Sequence, residues 1–188
     1  MDKKEYWERI YEENMELNSL YSSYWSQYSN YETWQFWIVI SLLVIPLVLL
    51  ISTVNRKNVF ELFFFGYTIH MLWTYMDLAL NRNGYFIHQY YLTPFLPVSL
   101  NITASVLPVG FLLIYQYCSN NNKNFYFYAV IISCLYAFGF ASIEKYFAFV
   151  ELRKGMNLFY LFFLDLAIAF ISYWLTKAVL KMRIKVNS

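Results

Sequence analysis

Charge is scarce in this sequence: Asp, Glu, Lys and Arg make up 14% of its 188 residues, against 60% hydrophobic. Soluble domains carry about a quarter charged residues, so an ordinary water-facing surface is excluded. Histidine is nearly missing, with only His70 and His88. No His-Glu-x-x-His, Cys-x-x-Cys or His-x-x-His occurs, so no metal-centre signature and no cofactor is indicated. Gly-x-Ser-x-Gly, a Walker-type phosphate loop and a Ser/His/Asp arrangement are also absent, which removes the commonest nucleophile and nucleotide signatures. Five glycines and four prolines are too few for the glycine-lined helix contacts of many transporters. A net charge of +2 is too small to draw nucleic acid. Cys118 and Cys134 lie about 24 Å apart along a helix, too far to bridge, and read as apolar thiols.

What is abundant is apolar and aromatic. Five runs fill the chain from about residue 34 to 180: 34–54, 59–80, 94–117, 125–150 and 158–180. At about 1.5 Å per residue each can reach across roughly 30 Å of hydrocarbon. The sequence therefore predicts an all-α integral membrane bundle of five transmembrane helices, with the lipid bilayer as its first partner. Connections are short, so consecutive helices are expected to be antiparallel neighbours. Pro97 and Pro108 are expected to break the third span. With 19 Tyr and 6 Trp, the chain is well supplied with side chains that favour the headgroup boundary.

Lys and Arg near the spans set the orientation. Arg56, Lys57, Lys123, Lys177, Lys181, Arg183 and Lys185 fall on one side of an odd-numbered bundle, and Arg82, Arg153 and Lys154 on the other, with Lys3, Lys4 and Arg9 too far from the first span to count heavily. The positive-inside bias places the C-terminus, with a basic tail at 181–188, in the cytoplasm and the N-terminus outside the cell membrane. The opening residues are acidic and aromatic rather than basic and then apolar, so no cleavable signal peptide is expected and the first span serves as an anchor.

Residues 1–33 form a separate unit. Ile10, Leu17, Tyr21, Tyr24, Tyr28 and Tyr31 recur at spacings of three, four or seven, the period of an amphipathic helix. Its other face carries Asp2, Glu5, Glu8, Glu12, Glu13 and Glu16, which suits anionic lipid poorly. Three readings stand: an interfacial helix running into the first span, a helix that docks a membrane-protein partner or a second copy of the chain, or a disordered segment. Asn14 on the seam would weaken a coiled coil.

Ionisable side chains inside hydrocarbon cost at least about 2.5–3.5 kcal/mol at mid-depth, so they turn inward and pair. In the second span His70, Thr74 and Asp77 share a face. Ser133, Ala137, Ala141 and Glu144 do so in the fourth, next to Lys145. Asp165, Ala169, Ser172 and Thr176 do so in the fifth, and the third offers Asn101 and Ser105. The candidate ligand-binding or proton-linked residues are thus His70, Asp77, Asn101, Glu144, Lys145 and Asp165, in the outer half of the bundle. As helix glue, Asp77 or Glu144 would pair with Lys145 or Arg82, and His70 with a hydroxyl. Asp165 has no cation on its own helix before Lys177.

Met76-Asp77-Leu78 through Asn83-Gly84-Tyr85-Phe86, Pro108 with Tyr115-Gln116-Tyr117, and Ile143-Glu144-Lys145 through Gly155-Met156-Asn157-Leu158 carry a resemblance. The chain from about Gly66 to Lys181 is similar to a family of small polytopic membrane proteins of Bacillus- and Clostridium-like spore-forming bacteria. The resemblance implies location and topology, not chemistry. Three functional readings follow: a non-enzymatic subunit or accessory component of a bacterial envelope complex; a small carrier or channel with an outward polar cavity; or a lipid-acting membrane enzyme using His70 and Asp77.

Overall fold

The computed structural model describes residues 1–186, and the chain is almost wholly helical. Helix α1 covers Lys3–Tyr28, α2 Trp34–Thr53 and α3 Val59–Arg82, followed by a short strand β1 at Phe86–His88. Helix α4 covers Ile102–Asn120 and α5 Phe125–Tyr146. Strand β2 is Val150–Leu152 and helix α6 is Leu158–Val186.

Helices α2, α4, α5 and α6 are long and apolar enough to cross a membrane. Large side chains such as Val44, Ile45, Phe127, Leu135, Phe159 and Phe163 face outward from them, a surface suited to lipid and costly in water. Helix α3 is as long but carries Glu61, His70 and Asp77. It packs most extensively against α4 and α6, so its polar groups are spent on neighbours. Phe65, Ile69 and Trp73 of α3 sit with Phe111, Leu112 and Tyr115 of α4 in the centre of the core.

The two ends of the bundle are marked by hydrogen bonds. At one end the Asn55 backbone N–H donates to Gln116 (2.7 Å), Gln116 Nε2 to the Thr53 carbonyl (3.0 Å) and Trp174 Nε1 to the Tyr126 hydroxyl (2.9 Å). At the other, β1 and β2 pair antiparallel with Phe86 opposite Leu152 and His88 opposite Val150. Gly84 (φ 67°) and Gly155 (φ 79°) take left-handed turns beside this two-stranded cap, a conformation glycine adopts without a Cβ clash. The base of α1 is fastened here too. Trp25 Nε1 donates to the Tyr91 carbonyl (3.1 Å), Ser29 Oγ bonds both the carbonyl and the N–H of Tyr91 (3.0 Å each), and the Tyr91 hydroxyl donates to the Tyr21 carbonyl (3.2 Å). Burial, with Tyr24 and Tyr21 alongside, pushes the Tyr91 phenol up to about 12, so it stays a donor at physiological pH. Beyond that base, residues 3–20 of α1 are exposed on every side. A reciprocal cap closes the N-terminus of α1: Asp2 accepts from the Glu5 N–H and Glu5 from the Asp2 N–H, each at 2.8 Å.

Several boundaries differ from those predicted. The third helix starts at Ile102, not 94, because Pro94 and Pro97 hold an extended loop and the Ser99 carbonyl accepts the first helical N–H groups. The fourth apolar run stops being helical at Tyr146, and Val150 belongs to β2. Helix α6 continues past 180 to Val186, so most of the expected basic tail is helix; residues 187 and 188 of it lie outside the described residues. Glycine also contributes more to packing than its number suggests. A Cβ on Gly110 would fall 1.7 Å from the Tyr136 hydroxyl and one on Gly66 2.7 Å from Leu112 Cδ1. Cys118 and Cys134 are free, on separate helices.

Candidate functional site

Two helices are locally widened beside the β-capped end. In α4 the Leu107 N–H reaches back to the Ile102 carbonyl, and in α5 the Ala141 N–H reaches back to Tyr136. Each is a five-residue step in place of the usual four, an inserted residue of the kind that often marks a functional site. Pro108 follows the first directly and has no N–H to complete a regular ladder. Pro46 interrupts α2 nearby, and Ser105 Oγ donates to the Leu43 carbonyl one turn before it (2.7 Å). The Tyr136 hydroxyl donates to the Val106 carbonyl (2.8 Å), tying one widened turn to the other.

Between the widened turns lies a cavity of about 40 Å³, room for one or two water molecules. Trp73 and Asp77 of α3, His88 of β1, Tyr136 and Glu144 of α5, and Asp165 of α6 are among its lining. His88 Nε2 and Asp77 Oδ1 are 2.7 Å apart and both residues are buried. Burial lowers the basicity of the imidazole; the Asp77 charge and hydrogen bond, with Glu144 behind them, more than offset it and hold His88 above its usual value. Three buried polar atoms on this lining have no hydrogen-bond partner among the described residues: Asp77 Oδ2, Asp165 Oδ1 and Trp73 Nε1. The Trp73 indole stands beside the Asp165 carboxyl. Such orphaned groups cost about 1–3 kcal/mol each when left dry.

Of the six residues singled out from sequence, the fold gathers Asp77, Glu144 and Asp165. The faces predicted to turn inward do so: Ser133, Ala137 and Ala141 are buried with Glu144, and Ala169, Ser172 and Thr176 with Asp165. His70 stands next to the cluster rather than in it. Its Nδ1 is 2.9 Å from the Thr103 carbonyl and 3.3 Å from the Thr74 hydroxyl. Asn101 serves the entry to α4, accepting from Ser99 Oγ at 3.0 Å. Lys145 and Arg82 are exposed, so the expected pairing of Asp77 with either is replaced by His88. His88 falls between the predicted spans, outside every apolar run, and the strand pairing is what carries it inward. Trp73 and Tyr136 were also missed, because inside apolar runs they read as ordinary core or interface aromatics.

The chain matches no known protein family, no curated protein and no solved structure. The functional reading therefore rests on the geometry.

Proposed function

We propose that this is a multi-pass protein of the cell membrane, akin to the small polytopic proteins of spore-forming bacteria. In this reading α2–α6 all cross the bilayer, α3 shielded by its neighbours, with α1 and the β-cap outside and the C-terminus in the cytoplasm. Its role is that of a non-enzymatic subunit or accessory component of an envelope complex.

The observation that carries this is α1. It is a 26-residue helix, clamped at its base to Tyr91, whose outer part presents Tyr6, Trp7, Ile10, Tyr11, Leu17 and Leu20 to solvent. Residues 1–33 hold seven acidic and three basic side chains, which disfavours lying flat on anionic lipid. A rigidly based helix with a free aromatic stripe fits recognition of another protein. The other readings find less support. A carrier needs a passage wider than a 40 Å³ cavity. An acid–base pair of His70 and Asp77 is not formed, since each is bonded to a different partner.

The experiment compares the full chain with a variant lacking residues 2–20, both extracted in mild detergent, by native mass spectrometry. The full chain is expected as an assembly, with a partner or with itself, and the truncated chain as a monomer. Identical monomers in both preparations would sink the reading.

A further inference from the structure

The cavity holds an imbalance of charge that the accessory role does not explain. Three carboxyl groups, Asp77, Glu144 and Asp165, share it with one imidazole, and among the described residues no Lys or Arg lines it. The titratable groups facing it are Asp77 from α3, His88 from β1, Tyr136 and Glu144 from α5, and Asp165 from α6; α4 contributes Ile102, Thr103 and Leu107, none of them titratable, and α2 contributes nothing to the lining. With every carboxyl ionised and the imidazole charged, the sum is two negative charges inside an apolar wall. Isolated ions cannot be kept in such a place; they neutralise instead. Nor do these groups converge into a ligand set: among the described residues no three His, Cys, Asp or Glu side chains are placed to hold a metal ion. The charge is then balanced by hydrogen ions.

Asp165 is the residue this argument turns on. It is 2% exposed, its Oδ1 has no partner, and it lines a space of water size together with the unpartnered Trp73 N–H and Asp77 Oδ2. Helix glue would have given it an opposite charge, as Glu61 has in Lys177 at 3.6 Å. Two grooves abut the cavity. One of about 600 Å³, between α1 and β1, has His88 in its wall. The other, of about 240 Å³ between α2 and the end of α5, has Glu144 in its wall. Both lie at the β-capped end.

We propose that this cavity is a reversible proton-binding site, with Asp165 as its main acceptor and His88 as its entry from the outer side. A hydronium ion beside His88 gives up its proton and leaves as water, one O–H bond breaking as the O–H of one carboxylic acid forms. Because His88 also belongs to the strand that leads into Tyr91, the clamp of α1, occupancy of the site bears on how firmly α1 is held. This inference does not depend on α1 having a partner.

Infrared spectroscopy of the full chain in lipid nanodiscs tests it. At neutral pH a carboxylic-acid C=O stretch is expected that moves in D2O and fades as the pH is raised. Asp165→Asn should remove one carboxyl's share of that band, and Glu61→Gln, at the opposite end of the bundle, none of it. The proposal is overturned if no pH-sensitive acid band exists, if sodium rather than pH displaces it, or if the band is lost with Glu61 instead. Should Asp165→Asn fail to fold, the wild-type titration with Asp77→Asn and Glu144→Gln decides: a band untouched by both variants and by pH overturns it as well.

Discussion

The two ends of the bundle treat a buried or half-buried acid in opposite ways. At the end bearing Gln116 and Trp174, the Glu61 carboxylate accepts from the Tyr115 hydroxyl and has the Lys177 ammonium 3.6 Å away. That ammonium also lies 5.1 Å from the Tyr115 ring centroid and 5.5 Å from that of Tyr173, close enough for cation–π attraction. The Glu61 carboxylate there has both an opposite charge and a donor. At the β-capped end three carboxyls receive one imidazole, and two of their oxygens are left without partners. Fold stability alone accounts for the first arrangement. It does not account for the second, because replacing an unpaired buried polar group by an apolar one is generally favourable.

The largest effect is expected where the β-capped end does have a pair. His88→Ala removes the partner that Asp77 Oδ1 has among the described residues and leaves a carboxylate in a buried, largely apolar site. Breaking a buried pair in this way costs about 3–5 kcal/mol, read as a large fall in thermal midpoint in mild detergent. Asp77→Asn, which keeps a hydrogen-bonding amide next to His88, should cost less than half of that. Equal losses would mean that the pair is not ionic.

A second experiment sets the ends against each other with one substitution type. Asp165→Leu should stabilise the protein by about 1–3 kcal/mol, since it deletes an unsatisfied buried oxygen, and the adjoining 40 Å³ receives the added methyl groups. Glu61→Leu should destabilise it by about 1–2 kcal/mol, through loss of a charged hydrogen bond and a partly screened ion pair. Opposite signs in thermal unfolding sustain the contrast between the ends, and a shared sign abolishes it.

The helical period explains how much of this could be read beforehand. Against an apolar background, the small and polar faces Ser133–Ala137–Ala141–Glu144 and Asp165–Ala169–Ser172–Thr176 stand out because side chains three or four apart share a face, and the fold buries both. His88 carries no such signal. Its place depends on pairing with Val150, a long-range register that nothing in the neighbouring residues announces. The loop from Pro94 to Ser99 looked apolar enough to extend a span, and only the backbone demands of two prolines and the cap at Ser99 keep it out of the helix. The widened turns at 102–106 and 135–140 are equally silent, since one residue too many per turn leaves the apolar run unchanged.

A smaller effect sharpens the same contrast at the base of α1. Tyr91→Phe loses the hydroxyl bond to the Tyr21 carbonyl but keeps the ring stacked near Tyr24. A loss of about 1 kcal/mol is expected, seen as faster amide exchange confined to residues 21–30. Exchange rising equally around Glu61 would show that the two ends are not separable.

The smallest effect is a slope with pH. His88 is held above its unfolded value, near 6.5 for an ordinary imidazole. A raised folded value means that the folded protein binds the proton more tightly than the unfolded chain. The stability it contributes is complete below the unfolded value and is lost as pH climbs through the folded one. Unfolding measured from about pH 6 upward should therefore show a decline that His88→Gln lessens, the remainder being the share of the cavity's carboxylic acid, although that variant is less stable at the acid end. Glu61→Gln, acting at the other end, should leave the decline in place. If His88→Gln keeps the slope and Glu61→Gln removes it, the titrating group belongs to the paired end, and the distinction between the two ends fails.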